Sequence, residues 1–519
     1  MPTCKQCSQQ FTIYPEDKAF YQGMSVPEPT HCPSCRQQRR MSWRNERTLY
    51  KRTCSATGKE IISMYPQETS FPVYDHSYFF SSQWDSLQYG RNFDFNRSFF
   101  EQFHDLLLIV PRMKNYSIGN ENAEYGNLSS WNKNCYMLFE ADNNEDCLYC
   151  EYSFRCKDVL DSSYAKGCEL CYQCNDIVKC YNLWYSFNCK NCIDSYFLKN
   201  CTGCSDCFSC INLQNKQYYF FNEQLSREDY KKAMKNIDLH SHIGIQKALK
   251  AFLDFTKKHP HQYMNGFHNE NCTGDYLNNS KNAHFCFNSS EICDSKYIYN
   301  SERIKDGYDI ETYGGMEGSQ LVYECQSVGR GSYNVAFGSN VYQNLLNARY
   351  CDICANAKNI FGCISVSHHQ YCILNKQYSQ KEYEVLVPKI IEHMKKTGEW
   401  GEFFPIKISP FSYNETIAQI YYPLAKKEAL NKGYSWRDAD KNSKNFKIQK
   451  TELNFYQKNN LPTPTKHPDQ RYQERMALRN PQKLWSRNCM KCDKKIITSF
   501  APDRPEIIYC KECYLSAVV

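Results

Sequence analysis

Eight cysteines, in two sets of four, have the spacing of zinc ligands. The first set lies near the start of the chain and consists of Cys4, Cys7, Cys32 and Cys35. The second set lies at the end and consists of Cys489, Cys492, Cys510 and Cys513. Each set is two CxxC pairs, as in a zinc ribbon or treble clef, where four thiolates at about 2.3 Å complete a tetrahedral shell and leave no open position for catalysis. The sequence therefore predicts two structural zinc sites, whereas a redox CxxC would need a single pair in a βαβ setting.

A run of arginines follows the second CxxC pair of the first set. No Gly or Pro interrupts residues 36–47, so we expect a helix that leaves the zinc knuckle. Arg36, Arg40 and Arg44 share one face of such a helix. The counterparts near the other end of the chain are Arg471, Arg475 and Arg479. These residues could contact phosphates, which makes nucleic acid, and RNA in particular, the predicted partner. The alternative is that they brace the zinc modules by hydrogen bonds.

The two ends of the chain are copies of one module. Shifted by 435 positions, residues 11–78 align without a gap with residues 446–513, and 22 of the 68 positions are identical. The module has two possible sets of four ligand positions, and each copy has lost a different one. The lost positions hold Cys54, Thr57, Asp75 and Tyr78 in the first copy, and Ala439, Asn442, His467 and Gln470 in the second. We therefore expect one metal site per copy, with Cys54 a packed remnant of a former site.

The 22 cysteines between the ends recur at a fixed interval. Cys147, Cys168, Cys189 and Cys210 are each 21 positions apart. A period near 20 is typical of a solenoid, so we expect one coil per 21 positions, with equivalent residues stacked about 4.8 Å apart. Cysteine is small and readily buried, which suits a column of side chains inside a narrow β-helix. A redox or metal role for the stacked thiols is the alternative.

The predicted fold class is mainly β, with two Cys-rich β-solenoid segments between the zinc modules and a few helices. The predicted order is a zinc module (1–80), a connector (81–115), solenoid segment 1 (116–222), a helical insert (223–262), solenoid segment 2 (263–378), a helix with a connector (379–438) and the second zinc module (439–519). Ser226 with Asp229, and Ser379 with Glu382, have capping-box spacing. We therefore expect a helix over 226–256 and another over 379–397, each covering the open end of a solenoid.

Composition indicates a cytoplasmic protein without a membrane span. The start of the chain has no signal-peptide pattern, and the most apolar window is the short run 106–110. In a reducing compartment, CxxC pairs are metal ligands or redox motifs before they are disulfides. The net charge is +7, with basic ends around an acidic middle: residues 1–52 hold nine Lys/Arg against four Asp/Glu, and residues 116–222 hold eight against thirteen. A polyanion is expected to meet the ends.

Motifs for phosphate cradles, nucleophile elbows and HExxH zinc catalysis are missing from the sequence. The leading hypothesis is therefore a non-catalytic zinc protein that binds nucleic acid. The second hypothesis is a protein-interaction scaffold that uses the Tyr- and Phe-rich flank of the solenoid. The third is a carbohydrate-active β-helix, in which Asp161, Asp176, Asp194 and Asp206 would line one outer face. The oligomeric state stays open, as does whether the two zinc modules pack together.

Several long motifs carry a family resemblance over essentially the whole chain. They are CPSCRQQRR, NERTLYKR, NFDFNRSFFEQF, NCKNCIDSYFLKNC, NKQYYFFNE and HPDQR followed by ERMALRNPQKLW. With these motifs the chain resembles a family of uncharacterised zinc-ribbon proteins from uncultured bacteria with very small genomes. Some of those relatives have been labelled CaiB/BaiF, a coenzyme A transferase name that no motif in this sequence supports. The resemblance implies the same architecture and zinc sites and brings no established activity.

Overall fold

The computed structural model of the protein describes residues 1–313, 317–438 and 446–518. Its helices are α1 (Pro15–Gly23), α2 (Pro33–Met41), α3 (His76–Phe79), α4 (Phe99–Leu107), α5 (Arg227–Lys235), α6 (His242–Thr256), α7 (Gln380–Thr397), α8 (Ala418–Tyr421), α9 (Lys426–Asn431), α10 (Lys450–Lys458), α11 (Pro468–Met476) and α12 (Lys511–Val518). None of these helices combines the length and hydrophobicity that a membrane crossing requires.

Strands make up most of the regular structure. Before the first solenoid come β1 (Tyr50–Thr53), β2 (Glu60–Ser63), β3 (Val73–Tyr74) and β4 (Arg112–Met113). The first solenoid comprises β5 (Ser117–Ile118), β6 (Gly126–Ser130), β7 (Leu138–Asp142), β8 (Glu151–Phe154), β9 (Ser163–Lys166), β10 (Asn175–Val178), β11 (Tyr181–Trp184), β12 (Phe187–Lys190), β13 (Ile193–Lys199), β14 (Phe208–Ile211), β15 (Tyr219–Phe220) and β16 (Glu223–Gln224). After β17 (Pro260–Gln262), the second solenoid comprises β18 (Gly266–Phe267), β19 (Gly274–Asn278), β20 (Lys281–His284), β21 (Cys286–Tyr313), β22 (Ser319–Arg330), β23 (Tyr333–Asp352), β24 (Ala355–Phe361), β25 (Gln370–Ile373) and β26 (Lys376–Gln377). The last strands are β27 (Trp485–Asn488), β28 (Lys495–Thr498) and β29 (Ile507–Tyr509). The predicted fold class is confirmed.

The coil of the first solenoid is shorter than the sequence predicts. In the parallel ladder, Asn175 of β10 lies between Ser163 of β9 and Phe187 of β12. Each coil therefore advances the chain by 12 positions, as 163, 175 and 187 show, and the predicted 21 is wrong. The interval of 21 is one coil plus three-quarters of a coil. Cys147 and Cys168 are accordingly in neighbouring columns of side chains and not directly above one another.

The inward positions of the first solenoid recur at every third residue. From Cys147 to Cys210, each third side chain is almost completely buried, and these positions hold Cys, Ser, Ala, Val, Ile or Leu. The residue before each of them has a positive φ, as in Asp146 (52°) and Asn188 (52°). A left-handed residue at every third position turns the chain at four corners per coil, and each of the four sides contributes one side chain to the core. Small inward residues follow because so short a coil is narrow.

The second solenoid repeats this construction with two longer coils. Ile304 pairs with Ser319, and Gln320 pairs with Tyr333, so these two steps are longer than the regular coil by three positions and by one. The regular step returns where β23 meets β24, with Gln343 opposite Ala355. The additional residues leave the inward pattern intact, because Val322 and Val335 are both completely buried.

Each solenoid ends in a short antiparallel strand followed by a capped helix. The helix expected over 226–256 is two helices, α5 and α6, because residues 236–241 form a break in which Asp238 accepts the backbone N–H groups of His240 and Ser241. The helix expected over 379–397 is α7. Its capping box is complete between Ser379 and Glu382.

The chain forms two compact units. Unit 1 contains residues 1–114, 264–437 and 482–484, and unit 2 contains residues 115–263, 438–481 and 485–519. Each unit combines one solenoid with the terminal module that is more distant in sequence: the N-terminal module joins the second solenoid, and the C-terminal module joins the first. The chain order did not indicate this exchange.

The duplication of the module is reproduced element by element. Helices α1 and α2 correspond to α10 and α11, and both ends of each helix are shifted by the same 435 positions that align the sequences. The hairpins β1–β2 and β27–β28 also correspond at that offset, with the same register. In each unit the third strand of the module pairs in parallel with a strand next to a solenoid, β3 with β4 and β29 with β17.

Candidate metal centres and their arginine contacts

The first cysteine set forms a compact cluster. The sulfur atoms of Cys4, Cys7, Cys32 and Cys35 all lie within 4.8 Å of one another. A tight turn shapes the first knuckle, where Cys4 N–H donates to the Gln9 carbonyl and Ser8 N–H donates to the Cys4 carbonyl. Cys32 is the N-cap of α2, and Cys35 lies in its first turn. The cluster is therefore fixed directly to the start of the arginine helix.

The second set forms the same kind of cluster at a different place in its module. The sulfur atoms of Cys489, Cys492, Cys510 and Cys513 lie within 4.8 Å of one another. Cys489 follows strand β27, and Cys510 lies between β29 and α12. The Cys510 N–H donates to the Cys489 sulfur at 3.2 Å, a bond that favours the thiolate. This cluster thus fixes the hairpin β27–β28 and the start of α12.

The geometry of both clusters fits zinc. Thiolates at about 2.3 Å from a tetrahedral Zn²⁺ lie about 3.8 Å from each other. The Cys7 and Cys32 sulfurs are 3.8 Å apart, and those of Cys492 and Cys510 are 3.7 Å apart. A hydrogen bond from Cys35 lowers the pKa of the Cys32 thiol to about 5. The protein therefore has two Cys4 groups that could each hold a structural metal ion.

The lost site of the N-terminal module keeps the backbone of a zinc knuckle. Cys54 N–H donates to the Lys59 carbonyl at 2.8 Å, as Cys489 N–H does to the Lys494 carbonyl. Where the second module has a cluster of four cysteines, the first has hydrogen bonds. The Cys54 thiol donates to the Asp75 carboxylate at 3.4 Å, and the Thr57 hydroxyl donates to the same oxygen at 3.0 Å. Cys54 is buried, so it is the packed remnant that the sequence predicts.

The lost site of the C-terminal module is described only in part. His467 is the N-cap of α11, and its ring accepts the Asp469 N–H at 3.2 Å. Gln470 lies in the first turn of the same helix. Ala439 and Asn442 lie outside the described residues. The imidazole takes over the capping position that Cys32 occupies in the first module.

In unit 1 the predicted phosphate-binding arginines are buried against acidic residues of the second solenoid. The Arg36 guanidinium donates to the Asp309 carboxylate at 2.8–2.9 Å. Arg40 is completely buried and lies 3.3 Å from Asp309, 3.6 Å from Glu311 and 3.8 Å from Glu324. Burial lowers the pKa of Arg36, but the negative groups around it, Asp309 and then Glu324 among them, together more than offset this and raise the pKa well above the usual range. For Glu311, burial dominates over Arg40 and raises the pKa to about 7.

Arg44, the third of the arginines predicted to share one helix face, lies beyond the end of α2. Helix α2 ends at Met41, and not near residue 47. Beyond it the Ser42 hydroxyl donates to the Arg39 carbonyl, and the N–H groups of Trp43 and Arg44 donate to carbonyls three residues back and not four. Arg44 is still buried and donates to the Ser327 hydroxyl at 3.0 Å. It also pairs with Glu46 at 2.5 Å.

Unit 2 repeats the arrangement with the other three arginines. Arg471 forms an ion pair with Asp161 and lies 3.1 Å from Glu452. Arg475 lies 3.4 Å from the second oxygen of Asp161. Arg479 donates two 2.8 Å hydrogen bonds to Asp176, and its guanidinium lies 3.9 Å from the centre of the Tyr164 ring. All of these contacts join the C-terminal module to the first solenoid or stabilise the module itself.

The bracing interpretation of the arginines is the one that this geometry supports. Phosphate contact requires an exposed guanidinium, and all six are buried by the carboxylates, hydroxyls and aromatic rings around them. These six guanidinium groups therefore offer no accessible surface to a phosphate. Their function in nucleic-acid binding stays a prediction. Two of the aspartates considered for a carbohydrate site, Asp161 and Asp176, are occupied by the same contacts. The other two accept amide hydrogen bonds, Asp194 from Asn182 and Asp206 from Gln217.

The acidic partners of the arginines were not identified from the sequence. Asp309 and Asp161 both lie at left-handed corners of a coil, with φ of 60° and 49°. Their spacing from inward residues could have indicated a corner position. Their pairing with a module so distant in the chain could not have been indicated in this way, because it depends on which solenoid each module joins.

No family model matches the chain, and no curated protein matches it. Among solved structures, part of the chain is similar to a "putative acetyltransferase" from Desulfovibrio desulfuricans G20. The two are 8% identical, the match covers 51% of this chain and 71% of that chain, and the TM-score is 0.11. A likeness at this level supports no conclusion on fold or function.

Proposed function

We propose that the protein is a non-catalytic binding scaffold in which two zinc ions hold the terminal modules against the solenoids. One observation carries this proposal: the first cysteine cluster and the arginine contacts belong to one continuous element. Cys32 and Cys35 fix the start of α2, and Arg36 and Arg40, on the turns that follow, are buried against the second solenoid. Zinc at this cluster orders the helix that docks the module.

The second zinc ion would act on another part of its module. Cys510 and Cys513 hold the start of α12, whose Tyr514 hydroxyl donates to Asn212 of the first solenoid at 2.8 Å. Strand β29, just before Cys510, pairs with β17. The two zinc ions thus stabilise complementary halves of the duplicated module, and each supports a different contact with a solenoid.

The scaffold part of the proposal concerns the outer faces of the solenoids. The aromatic flank that the sequence offers as a contact surface is largely covered in unit 2, because Tyr172 and Trp184 are buried in a cluster with Phe455 and Tyr456 of the C-terminal module. The neighbouring side of the coil carries a ladder in which Lys133 and Lys157 alternate with glutamates one coil away. Partner contacts are therefore proposed for charged surfaces and not for the aromatic flank.

We place this scaffold in a reducing compartment such as the cytoplasm. All 31 cysteines lie within the described part of the chain, and each is a free thiol. Thiols in such number stay reduced where glutathione and thioredoxin act, and zinc binding needs them in that state.

The test compares two double variants, Cys32→Ser/Cys35→Ser and Cys510→Ser/Cys513→Ser, by zinc content and hydrogen exchange. The first variant should lose one zinc per chain and exchange faster in α2 and in the β21–β22 region that α2 contacts. The second should lose the other zinc and exchange faster in β29 and α12, with α11 little changed. Unchanged exchange in both variants, despite lost zinc, would contradict the proposal that zinc docks the modules.

Nucleic acid is the second candidate partner. The positive charge of α5 and α6, the helices that follow the first solenoid, supports this candidate. The buried arginines do not support it. Within this candidate, RNA is the type of nucleic acid that we propose.

A further inference from the structure

Helices α5 and α6 cover the end of the first solenoid with their apolar sides. Tyr230 of α5, and Ala248 and Phe252 of α6, are buried in one cluster with Phe197 and Phe208 of the solenoid. The apolar side of both helices is thereby occupied within unit 2. What the pair offers to a partner is its outer side, which is mostly polar.

The outer side carries an excess of positive charge. Arg227, Lys231 and Lys235 follow one another at four-residue spacing along α5, so they share one face over about 12 Å. Lys247 and Lys250 are exposed on α6, and Lys258 is exposed just beyond its end. We name these six side chains the cationic face.

Most acidic residues of the same segment are already engaged. Asp229 pairs with Lys232 at 3.5 Å, and Asp254 pairs with Lys257 at 2.9 Å. Asp238 accepts hydrogen bonds at the break between the helices. Within residues 226–259, all of which are described, this leaves Glu228 as the acid that could offset the cationic face. The excess positive charge of the cationic face must therefore be neutralised by a polyanion or by counterions from the solution.

We propose that the cationic face binds the phosphate backbone of nucleic acid. Lysines and arginines along one helix face contact successive phosphates without reading sequence. An anionic membrane fits less well, because helices that lie on membranes insert an apolar side, and here that side is buried under Phe208 and its neighbours. This inference rests on the proposal that the protein is a binding scaffold and names the partner and the surface.

The experiment is fluorescence anisotropy with a 20-nucleotide single-stranded RNA and a 20-base-pair DNA duplex over a salt series. The wild type is compared with Arg227→Gln/Lys231→Gln/Lys235→Gln. Each single-strand phosphate contact contributes about −0.7 to the slope of log K against log salt, so the variant should bind more weakly and its RNA slope should be less steep by about 2. The matched control is Lys381→Gln/Lys389→Gln/Lys396→Gln on α7, which removes the same charge from exposed positions of the other capping helix.

The outcomes separate this inference from the proposed function. Weaker, less salt-dependent binding in the α5 variant alone supports the cationic face. Equal losses in the α5 and α7 variants would overturn it, since net charge alone would then explain binding. No binding by the wild type at 50 mM salt would also overturn it. Neither result changes the exchange behaviour of the zinc variants, which tests the scaffold. Circular dichroism checks that each variant is folded.

Discussion

Nη2 of Arg36 lies 2.8 Å from Oδ2 of Asp309, and both side chains are almost completely buried. Arg471 and Asp161 form the corresponding ion pair in the other unit. Arg36 and Arg471 are equivalent positions of the duplicated module, and both aspartates lie at left-handed corners of a coil. Both units therefore repeat the module itself, and both also repeat its contact with a solenoid.

The first prediction concerns these buried ion pairs. In Asp309→Asn the arginines around it lose a carboxylate in a place that water does not reach, which costs about 3–5 kcal/mol for a buried pair. The free energy of opening of unit 1, measured by native-state hydrogen exchange, should fall by that amount. Asp105→Asn in the same unit is the control, because its ion pair with Arg97 is exposed and should contribute far less. Equal effects of the two substitutions would mean that Asp309 is not a brace.

The second prediction is that the lost metal site of the N-terminal module can be rebuilt. The Cys54 turn has the hydrogen bonds of the intact Cys489 knuckle, so only ligand side chains are missing. Thr57→Cys/Asp75→Cys/Tyr78→Cys should therefore bind one additional zinc ion per chain, as measured by mass spectrometry under native conditions. The same triple variant with Cys54→Ser is the control and should not gain a tightly held ion. A rebuilt variant with unchanged zinc content would show that the backbone has diverged from a zinc knuckle.

The third prediction concerns pH. His261 is buried in unit 2, and burial, aided by Lys199, lowers its pKa to about 3. Since the unfolded imidazole titrates near 6.5, the unfolded chain takes up a proton below that pH and the folded chain does not until about pH 3. Stability is therefore full above pH 6.5 and decreases by on the order of a few kcal/mol as the pH falls through this window.

Chemical denaturation of unit 2 at pH 7.5, 6.0 and 5.0 measures this effect. His261→Gln can still donate to the Thr256 carbonyl but does not titrate, so its stability should change less over the same range. Glu506, whose pKa is about 2, adds a separate loss of stability below about pH 4.5 and does not interfere above it. Identical pH profiles for wild type and variant would exclude His261 as the cause.

The fourth prediction concerns the corners of the coils. Asn191 has φ 53° and is exposed, so its side chain is under little constraint from packing. A β-branched residue is strained there, and Asn191→Ile should lower the free energy of unfolding by about 1–2 kcal/mol. Asn191→Gly should be close to neutral. Ser205→Ile, at a position of the same solenoid that has no positive φ, is the control and should cost less in the same urea titration.

The two Cys4 groups were predictable from the sequence because the members of each CxxC pair are close in the chain. Cys4 and Cys7 form one knuckle, and the gapless match of the two ends indicated the second set as a variation on the first. Helix starts such as Ser379 were also predictable, because a capping box depends on residues three positions apart.

The coil length was predicted wrongly, because an interval of 21 was taken for the period. Every cysteine from Cys135 to Cys210 lies at a multiple of three from the others, and Asn or Asp often precedes it, as in Asn188-Cys189. A period of three fits intervals of 9, 12 and 21 alike. It identifies the inward positions, but the number of corners per coil depends on strand pairing, which only the structure provides.

The accessibility of the arginines depends on contacts that a sequence pattern does not contain. Arg36, Arg40 and Arg44 have the spacing of a phosphate-binding face, and the same spacing serves a face that packs on carboxylates. The pattern cannot distinguish the two, because Asp309 is distant from Arg36 in the chain and meets it only in the folded unit. By contrast, the cationic residues of α5 could have been noted from the sequence, since Arg227 and Lys231 recur at helical spacing.

The most direct test of the account is the zinc content of the purified chain, measured by inductively coupled plasma mass spectrometry with and without modification of accessible thiols. The account predicts two zinc ions per chain. It also predicts one ion in Cys35→Ser and one in Cys513→Ser, with Cys7 and Cys492 protected from alkylation only while their own site is intact. A chain that is folded, free of zinc and alkylated at Cys7 and Cys492 would contradict the claim that metal ions hold the two modules in place.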